Sequence, residues 1–214
     1  MQKKSNSLGL IIGAVVLTIL CLAIVFQSGA PVGSNSSYVP VLDKEDWTLG
    51  NKDSDVIVYE FSDMQCPACA QYHEQIMKPL IAKYSDRVLF VFRHFPLEGL
   101  HKNAIKAAIA LEAAGKQNNF FEMQDLLFTR QSEWSESEDV NTIFIVYAKE
   151  LGLDEAIFQT DIDSLELAAK INPIYKILSE KGFEYTPTFY LNDKKLENSG
   201  NLEDFEKILD KELN

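Results

Sequence analysis

The sequence is poor in several residue types whose abundance marks particular classes of protein. It has three cysteines, ten glycines and seven prolines in 214 residues, and 46% of its residues are hydrophobic. A disulfide-dense scaffold, a collagen-like repeat and an intrinsically disordered chain are therefore excluded. The sequence also lacks a glycine-rich phosphate loop and any internal repeat. Its length favours one domain, or one domain that carries an insertion.

Basic residues are scarce as well. The 20 Lys and Arg residues face 32 Asp and Glu residues, which gives a net charge of −12. Lys3 and Lys4 are the only charged residues before position 38, so the rest of the chain is more acidic still. A domain of this charge repels the phosphates of DNA and RNA, and we expect no binding of nucleic acid.

One long hydrophobic run is present, from Leu8 to Phe26, and it contains no charge. As a helix it is about 28 Å long, close to the thickness of the hydrocarbon core of a bilayer. The two preceding lysines favour a cytoplasmic N-terminus. We therefore expect residues 1–27 to form a cytoplasmic tip and transmembrane anchor, residues 28–40 a flexible linker, and the rest to lie outside the cytoplasm. The alternative is a signal peptide cleaved near the small residues 28–30.

Because Cys21 falls within this run, Cys66 and Cys69 are the two cysteines left for the remainder of the chain. Residues 56–61 before them read as a buried strand, and apolar residues at helical spacing follow them. Their own spacing places both sulfurs on one helix face, within disulfide reach. At the start of a helix Cys66 meets unpaired amides that favour the reactive thiolate.

Three interpretations of this pair compete. A redox-active dithiol is favoured by the strand-to-helix junction and by the expected location outside the cytoplasm. A purely structural disulfide is possible, but a bridge that closes so short a loop stabilises little. A zinc site needs two more ligands, which only His73, His94 and His101 could supply.

The rest of the chain is organised around this junction. Residues 87–92 read as a second strand, parallel to the first in a βαβ unit. Residues 188–191 and 194–196 read as a hairpin, and an amphipathic final helix begins at Leu202. We therefore predict an α/β domain built from residues 41–100 and 182–214.

Residues 101–181 read as helix almost throughout and form the predicted all-helical insertion. The pattern indicates one helix from Ala104 to just before Gly115 and two more over residues 120–128 and 140–151. Residues 154–181 continue as a helix that is interrupted or kinked at Pro173.

The stretch from Glu60 through Cys66 to Cys69 resembles the active site of the DsbA-like thiol-disulfide oxidoreductases. The resemblance extends through residues 93–97, returns at residues 182–189, and covers roughly residues 39–214. It implies a thioredoxin-like fold with an inserted helical domain. Membrane-anchored members of this type act on exported proteins.

The resemblance also implies a role for each matching residue. Cys66 is the exposed nucleophile and Cys69 the buried resolving thiol. A cis peptide between Thr186 and Pro187 faces the disulfide and, with Pro67 and Ala68, offers a surface to the substrate peptide. The sequence departs from the family at two places: Ala68 replaces the His of the strongest oxidants, and Tyr185 stands where relatives often have Gly.

Glu60 shares a strand face with Val56 and Val58, so we expect it to point into an apolar layer. It matches the family's buried acid beneath the active site. Cys69 must lose a proton before it attacks a mixed disulfide, and a carboxyl of raised pKa could relay that proton. The alternative is a hydrated acid at the end of a strand.

The residues between Glu60 and the helix carry simpler expectations. We expect Asp63, and His73 beyond the motif, to be solvated side chains near the site. Met64 and Gln65 read as ordinary loop positions.

The sequence thus predicts a membrane-tethered, monomeric enzyme outside the cytoplasm that oxidises cysteine pairs of exported proteins through a Cys66–Cys69 redox disulfide. It implies no metal or organic cofactor, and it requires a membrane redox partner that resets the dithiol. Two alternatives are a reductase or isomerase of the same fold, and a non-enzymatic chaperone or binding module with a structural disulfide. An isomerase usually needs a dimerisation module, for which residues 28–55 are too short.

Overall fold

A five-stranded mixed sheet forms the centre of the computed structural model, which describes residues 38–196 and 201–214. The spatial order is β1-β3-β2-β4-β5, and the strands are β1 (Trp47–Gly50), β2 (Ile57–Ser62), β3 (Leu89–His94), β4 (Thr188–Leu191) and β5 (Lys194–Leu196). Strands β2 and β3 run parallel, and the other neighbouring strands run antiparallel. The predicted βαβ unit and the β4–β5 hairpin are both confirmed.

Helices fill the two long connections of the sheet. Between β2 and β3 lie α1 (Pro67–Tyr72), one π-helical turn (His73–Met77) and α2 (Lys78–Tyr84). The connection from β3 to β4 holds α3 (Ala104–Lys116), α4 (Phe120–Thr129), α5 (Gln131–Trp134), α6 (Val140–Glu150), α7 (Glu155–Ile162), α8 (Leu165–Ile171) and α9 (Ile174–Glu180). Helix α10 (Leu202–Glu212) follows β5 in the chain.

The apolar side chains form three clusters. One face of the sheet, with Val56 and Val58 of the β2 segment, packs against α2 and α10. The other face, with Tyr59 and Phe61, packs around Phe183. The third cluster lies among the helices between β3 and β4, and it also contains Met64, Cys66 and Cys69. We call these helices, residues 104–180, the helical segment. The two cysteines therefore lie where the helical segment meets the sheet.

The structure corrects the sequence-based elements in three places. Strand β1 and the short helix α5 were not expected. The continuous helix expected over residues 154–181 is three helices, of which α9 begins directly after Pro173, as the proline predicted. The other break is at Ser164, whose hydroxyl accepts hydrogen bonds from the amides of Glu166 and Leu167 and so caps α8.

The predicted anchor, residues 1–27, and nearly all of the predicted linker, residues 28–40, lie outside the described residues. Within residues 38–196 and 201–214, no helix combines the length and the apolar character that a membrane crossing requires. Tyr38–Asn214 forms one compact unit. The division of this unit into residues 41–100 with 182–214, and residues 101–181, stays a prediction.

Candidate active site

Cys66 occupies the position directly before α1, and Pro67 is the first residue of the helix. The backbone of Cys66 is extended, with φ −71° and ψ 121°, because the chain turns there from the loop after β2 into the helix. Cys69 follows one turn later on the buried side, and both thiols are free. Cys66 was expected to be exposed, but only 7% of its surface is accessible, against none of that of Cys69.

The surroundings of Cys66 favour its thiolate. A hydrogen bond from the Cys69 thiol is the largest effect, and it lowers the pKa of Cys66 to about 6 despite an opposing effect of burial. The backbone amides of Ala68 and Cys69 at the start of the helix contribute further. These donors stabilise a charged sulfur much as they would a bound anion at a helix start.

Cys69 has the opposite environment. Burial raises the pKa of Cys69 well above the ordinary value. The hydrogen bond that the Cys69 thiol donates to Cys66, and the negative charge of Cys66, raise it further. The side chains of Ser62 and Thr186 oppose this increase only in part. In the reduced protein the pair therefore carries one thiolate, at Cys66, and one protonated thiol, at Cys69.

The loop before β4 faces the dithiol. The peptide bond between Thr186 and Pro187 is cis, as the family resemblance implied, and the Cys66 Sγ lies 3.6 Å from the carbonyl oxygen of Thr186. Pro67 and Ala68 on the helix side are exposed. Tyr185, directly before this loop, is 41% exposed.

Glu60 lies on the same face of β2 as Val58, in an apolar layer as predicted, and only 4% of its surface is accessible. Burial raises its pKa to about 7, and the nearby Ser62 side chain opposes this increase. Among the described residues, three buried side-chain atoms make no hydrogen bond: Glu60 Oε1, Ser62 Oγ and Thr186 Oγ1. Ser62 and Thr186 lie beside Cys69, and Glu60 lies beside Ser62. An unpaired polar atom in the interior is costly, so three such atoms in one chain of neighbours indicate a functional constraint.

The expectation that Asp63 is solvated was wrong. Its side chain is completely buried, and its two oxygens accept hydrogen bonds from the amides of Gln65 (2.7 Å) and Leu97 (2.8 Å). The same carboxylate contacts the imidazole of His101 at 2.8 Å. His73 is buried too, with its imidazole 3.0 Å from a carboxylate oxygen of Asp125.

Met64 and Gln65 are also more than ordinary loop positions, because the helical segment holds them in place. Gln131 of α5 donates to the carbonyl oxygens of Met64 (2.8 Å) and Cys66 (3.1 Å). Gln65 donates to the carbonyl of Ser135 and accepts from the amide of Asn103, both at 2.7 Å. Sequence analysis missed these contacts because their partners lie 38 to 70 positions apart and share no motif.

The histidines do not gather around the cysteines as a zinc site requires. They contact three separate carboxylates: His73 with Asp125, His94 with Glu112, and His101 with Asp63. Within the described part of the chain, one group of three potential metal ligands exists, formed by His73, Glu74 and Asp125. The ammonium of Lys78 lies 2.8 Å from Asp125 and 3.2 Å from Glu74, so both carboxylates of that group already pair with a cation.

Known sequences resemble this chain over most of its length. The sequence profile of the family described as thioredoxin matches residues 42–211. The Na(+)/H(+) antiporter NhaA 3 of Salinispora tropica is 33% identical over 82% of this chain and 26% of the antiporter. A putative protein-disulfide oxidoreductase of Rickettsia prowazekii is 28% identical over 80% of this chain and 63% of that protein. The chain thus spans about a quarter of the antiporter and less than two thirds of the Rickettsia protein.

Solved structures extend the similarity to the fold. Oxidised BdbD from Bacillus subtilis superposes with a TM-score of 0.73 at 25% identity, over 83% of this chain and 97% of BdbD. The α-DsbA1 of Wolbachia pipientis gives a TM-score of 0.67 at 24% identity, over 84% of this chain and 95% of that protein. The chain therefore belongs to the thioredoxin family and has the fold of the DsbA-like oxidoreductases that it resembles.

Proposed function

We propose that this chain is a thiol-disulfide oxidoreductase that oxidises cysteine pairs in exported proteins. The observation that carries the proposal is the opposite shift of the two thiol pKa values within one Cys-x-x-Cys pair. A thiol of lowered pKa is a good nucleophile and leaving group, whereas a thiol of raised pKa stays protonated until it is needed. A disulfide that served only as a structural link, as in a binding module, needs no such difference.

The oxidation proceeds by two exchanges. A substrate thiolate attacks the Cys66 sulfur of the oxidised pair, so that a mixed disulfide forms while the Cys66–Cys69 bond breaks and Cys69 leaves with the electron pair. A second substrate thiolate then attacks the substrate sulfur, and Cys66 leaves as a thiolate. Two electrons pass to the pair, and the low pKa of Cys66 favours the second departure.

Glu60 is the proton relay for Cys69 in this scheme. With a pKa of about 7 it holds a proton about half the time at neutral pH, so it can protonate the departing Cys69 sulfur and take the proton back when the pair is reset. Ser62 affects the pKa of both groups, and its buried hydroxyl offers the route between them. The alternative of a hydrated acid is inconsistent with the burial of Glu60.

The substrate peptide binds, in this proposal, beside Cys66, between the loop before β4 and the start of α1. Thr186 and Pro187 supply backbone on one side of Cys66, and the exposed Pro67 and Ala68 supply apolar surface on the other. An extended peptide at this place presents its cysteine to the Cys66 sulfur.

The direction of exchange depends on two free energies of similar size. A Cys66 pKa of about 6 stabilises the reduced form by about 1.4 kcal/mol at pH 7. Closing a four-residue loop stabilises the oxidised form by about 2 kcal/mol in the chain-entropy model. The difference, less than about 1 kcal/mol, slightly favours the oxidised form, so the disulfide of this chain is at most a mild oxidant. The same balance makes a reductase the second candidate.

Two assays on the full chain separate these candidates. An oxidase accelerates the refolding of a reduced, disulfide-containing substrate, whereas a reductase accelerates the precipitation of insulin in the presence of a thiol. We expect the first activity to dominate and the reduced form to melt within a few degrees of the oxidised form. A strongly higher melting temperature of the oxidised form, with activity in the insulin assay alone, would establish the reductase.

We further propose that residues 1–27 anchor the chain in the cytoplasmic membrane, with the redox domain on the outer side and a membrane protein as the oxidant that resets it. Without protease the chain should then stay in the membrane fraction, and protease added to spheroplasts should digest the residues beyond 40. A soluble fragment that begins near Pro31 would identify the run as a cleaved signal peptide instead.

A further inference from the structure

The Cys-x-x-Cys motif of this chain contains no charged side chain of its own. Pro67 and Ala68 separate the cysteines, and α1 has neither an acidic residue in its first turn nor a basic residue in its last. Any side chain that supplies positive charge to the Cys66 thiolate must therefore come from another part of the chain.

Asp63 makes such a charge necessary. Its buried carboxylate lies in the loop that leads to Cys66, and its backbone carbonyl accepts a hydrogen bond from the Cys66 amide at 3.1 Å. An uncompensated buried carboxylate in this loop disfavours a thiolate at Cys66, because like charges repel each other. The amides of Gln65 and Leu97 stabilise the Asp63 carboxylate but bring no net charge.

His101 is in direct contact with the Asp63 carboxylate. Its Nδ1 lies 2.8 Å from Asp63 Oδ2, and its side chain is only 19% exposed. The contact with Asp63 raises the pKa of His101, and the negative charges of Cys66 and Glu136 raise it further. With Gln65 and Pro67, the residues on either side of Cys66, it lines a cavity of about 250 Å³.

We propose that His101, held by Asp63, is a positioning residue that places a positive charge beside Cys66 and thereby maintains its thiolate. This role deepens the proposed function, on which its importance for exchange rests. The other charged groups around His101 are Glu136 and Lys102, and Lys102 is itself engaged by Glu138 at 2.8 Å on the protein surface.

The test is the pH dependence of alkylation of Cys66 in the reduced full-length chain, with each cysteine quantified separately by mass spectrometry. His101→Gln keeps hydrogen-bonding capacity but removes the charge, and we expect it to lower the rate at pH 6 about threefold, through a higher pKa of Cys66. His101→Lys restores a charge and should recover most of the loss. Lys102→Gln removes a neighbouring exposed charge and serves as the matched control, with no expected change.

Three outcomes would overturn the inference: an unchanged profile in His101→Gln, no recovery in His101→Lys, or an equal effect of Lys102→Gln. The readout is independent of substrate oxidation. A His101-dependent profile in a chain that fails both exchange assays contradicts the proposed function alone. A His101-independent profile in an active oxidase contradicts this inference alone.

Discussion

The two sulfurs of the dithiol lie one helical turn apart but in contrasting surroundings, which we call the mouth and the floor of the site. The mouth comprises Cys66, Asp63 and His101, whose polar atoms have partners: amides, an opposite charge or the second thiol. The floor comprises Cys69, Glu60 and Ser62, where buried oxygens make no hydrogen bond.

This contrast in surroundings explains how one short motif can hold two thiols of different pKa. Hydrogen-bond donors at the mouth stabilise an anion, whereas burial without partners at the floor keeps protons bound. The helix start alone does not explain the contrast, because Thr186 before β4 and Ser62 at the end of β2 also lie beside the two thiols.

The largest effects should follow from removing one sulfur at a time. We expect Cys66→Ala to abolish exchange and Cys69→Ala to trap mixed disulfides with substrates, because no thiol remains to release them. Non-reducing electrophoresis followed by mass spectrometry detects the trapped species. Cys21→Ala, which removes the third cysteine, is the control and should leave exchange unchanged. Trapping by Cys66→Ala instead would reverse the assignment of mouth and floor.

The next effect concerns the acid of the floor. Glu60→Gln should slow the attack of Cys69 on a mixed disulfide about 100-fold, since the buried thiol loses its proton acceptor. The initial attack by Cys66 should change little. Stopped-flow measurement of the two steps with a model disulfide separates them, and equal losses in both steps would rule out the relay.

The same substitution should change the pH dependence of stability. The folded pKa of Glu60, about 7, lies above the ordinary value of 4.5, so the folded form binds the proton more tightly. The contribution of Glu60 to the free energy of unfolding is therefore most favourable below pH 4.5, decreases as the pH rises to 7, and is constant above that. Between these two limits the free energy of unfolding decreases by about 3 kcal/mol.

Denaturation of the reduced 38–214 fragment from pH 4.5 to 8 measures this effect. Because Cys66 is present in both proteins, its own linkage cancels when the Glu60→Gln curve is subtracted from the wild-type curve. A difference that does not vary between pH 4.5 and 7 would show that Glu60 titrates normally.

The smallest expected effect concerns the hydrogen bonds between the helical segment and the loop that precedes α1. Gln131→Ala removes two hydrogen bonds to the carbonyls of Met64 and Cys66 and should lower the free energy of unfolding by about 1 kcal/mol. Gln71→Ala is the matched control, because the exposed Gln71 amide donates to the side chain of its exposed neighbour Gln75 at 3.3 Å. Equal losses in the two variants would argue against a specific role of Gln131.

Much of the fold was predictable because local patterns determine it. The alternation of strand β2 placed Glu60 on the buried face, and the spacing after Cys66 predicted α1. Strand β1 was missed because its four residues are stabilised by pairing with β3 rather than by their own pattern.

The site was predictable only in part. The cysteines and Pro187 carry a motif, whereas Asp63 and His101 are polar residues whose burial depends on contacts across 38 positions. A polar residue is usually exposed, and only the tertiary structure shows that Asp63 has enough donors to be buried.

The central claim, that the two thiols differ strongly in pKa, is tested most directly by alkylating the reduced chain over a range of pH and measuring each cysteine separately. The account predicts that Cys66 reaches half of its maximal rate near pH 6, and that Cys69 remains unreactive until well above pH 9. Equal profiles, or a Cys69 that reacts at lower pH than Cys66, would contradict it.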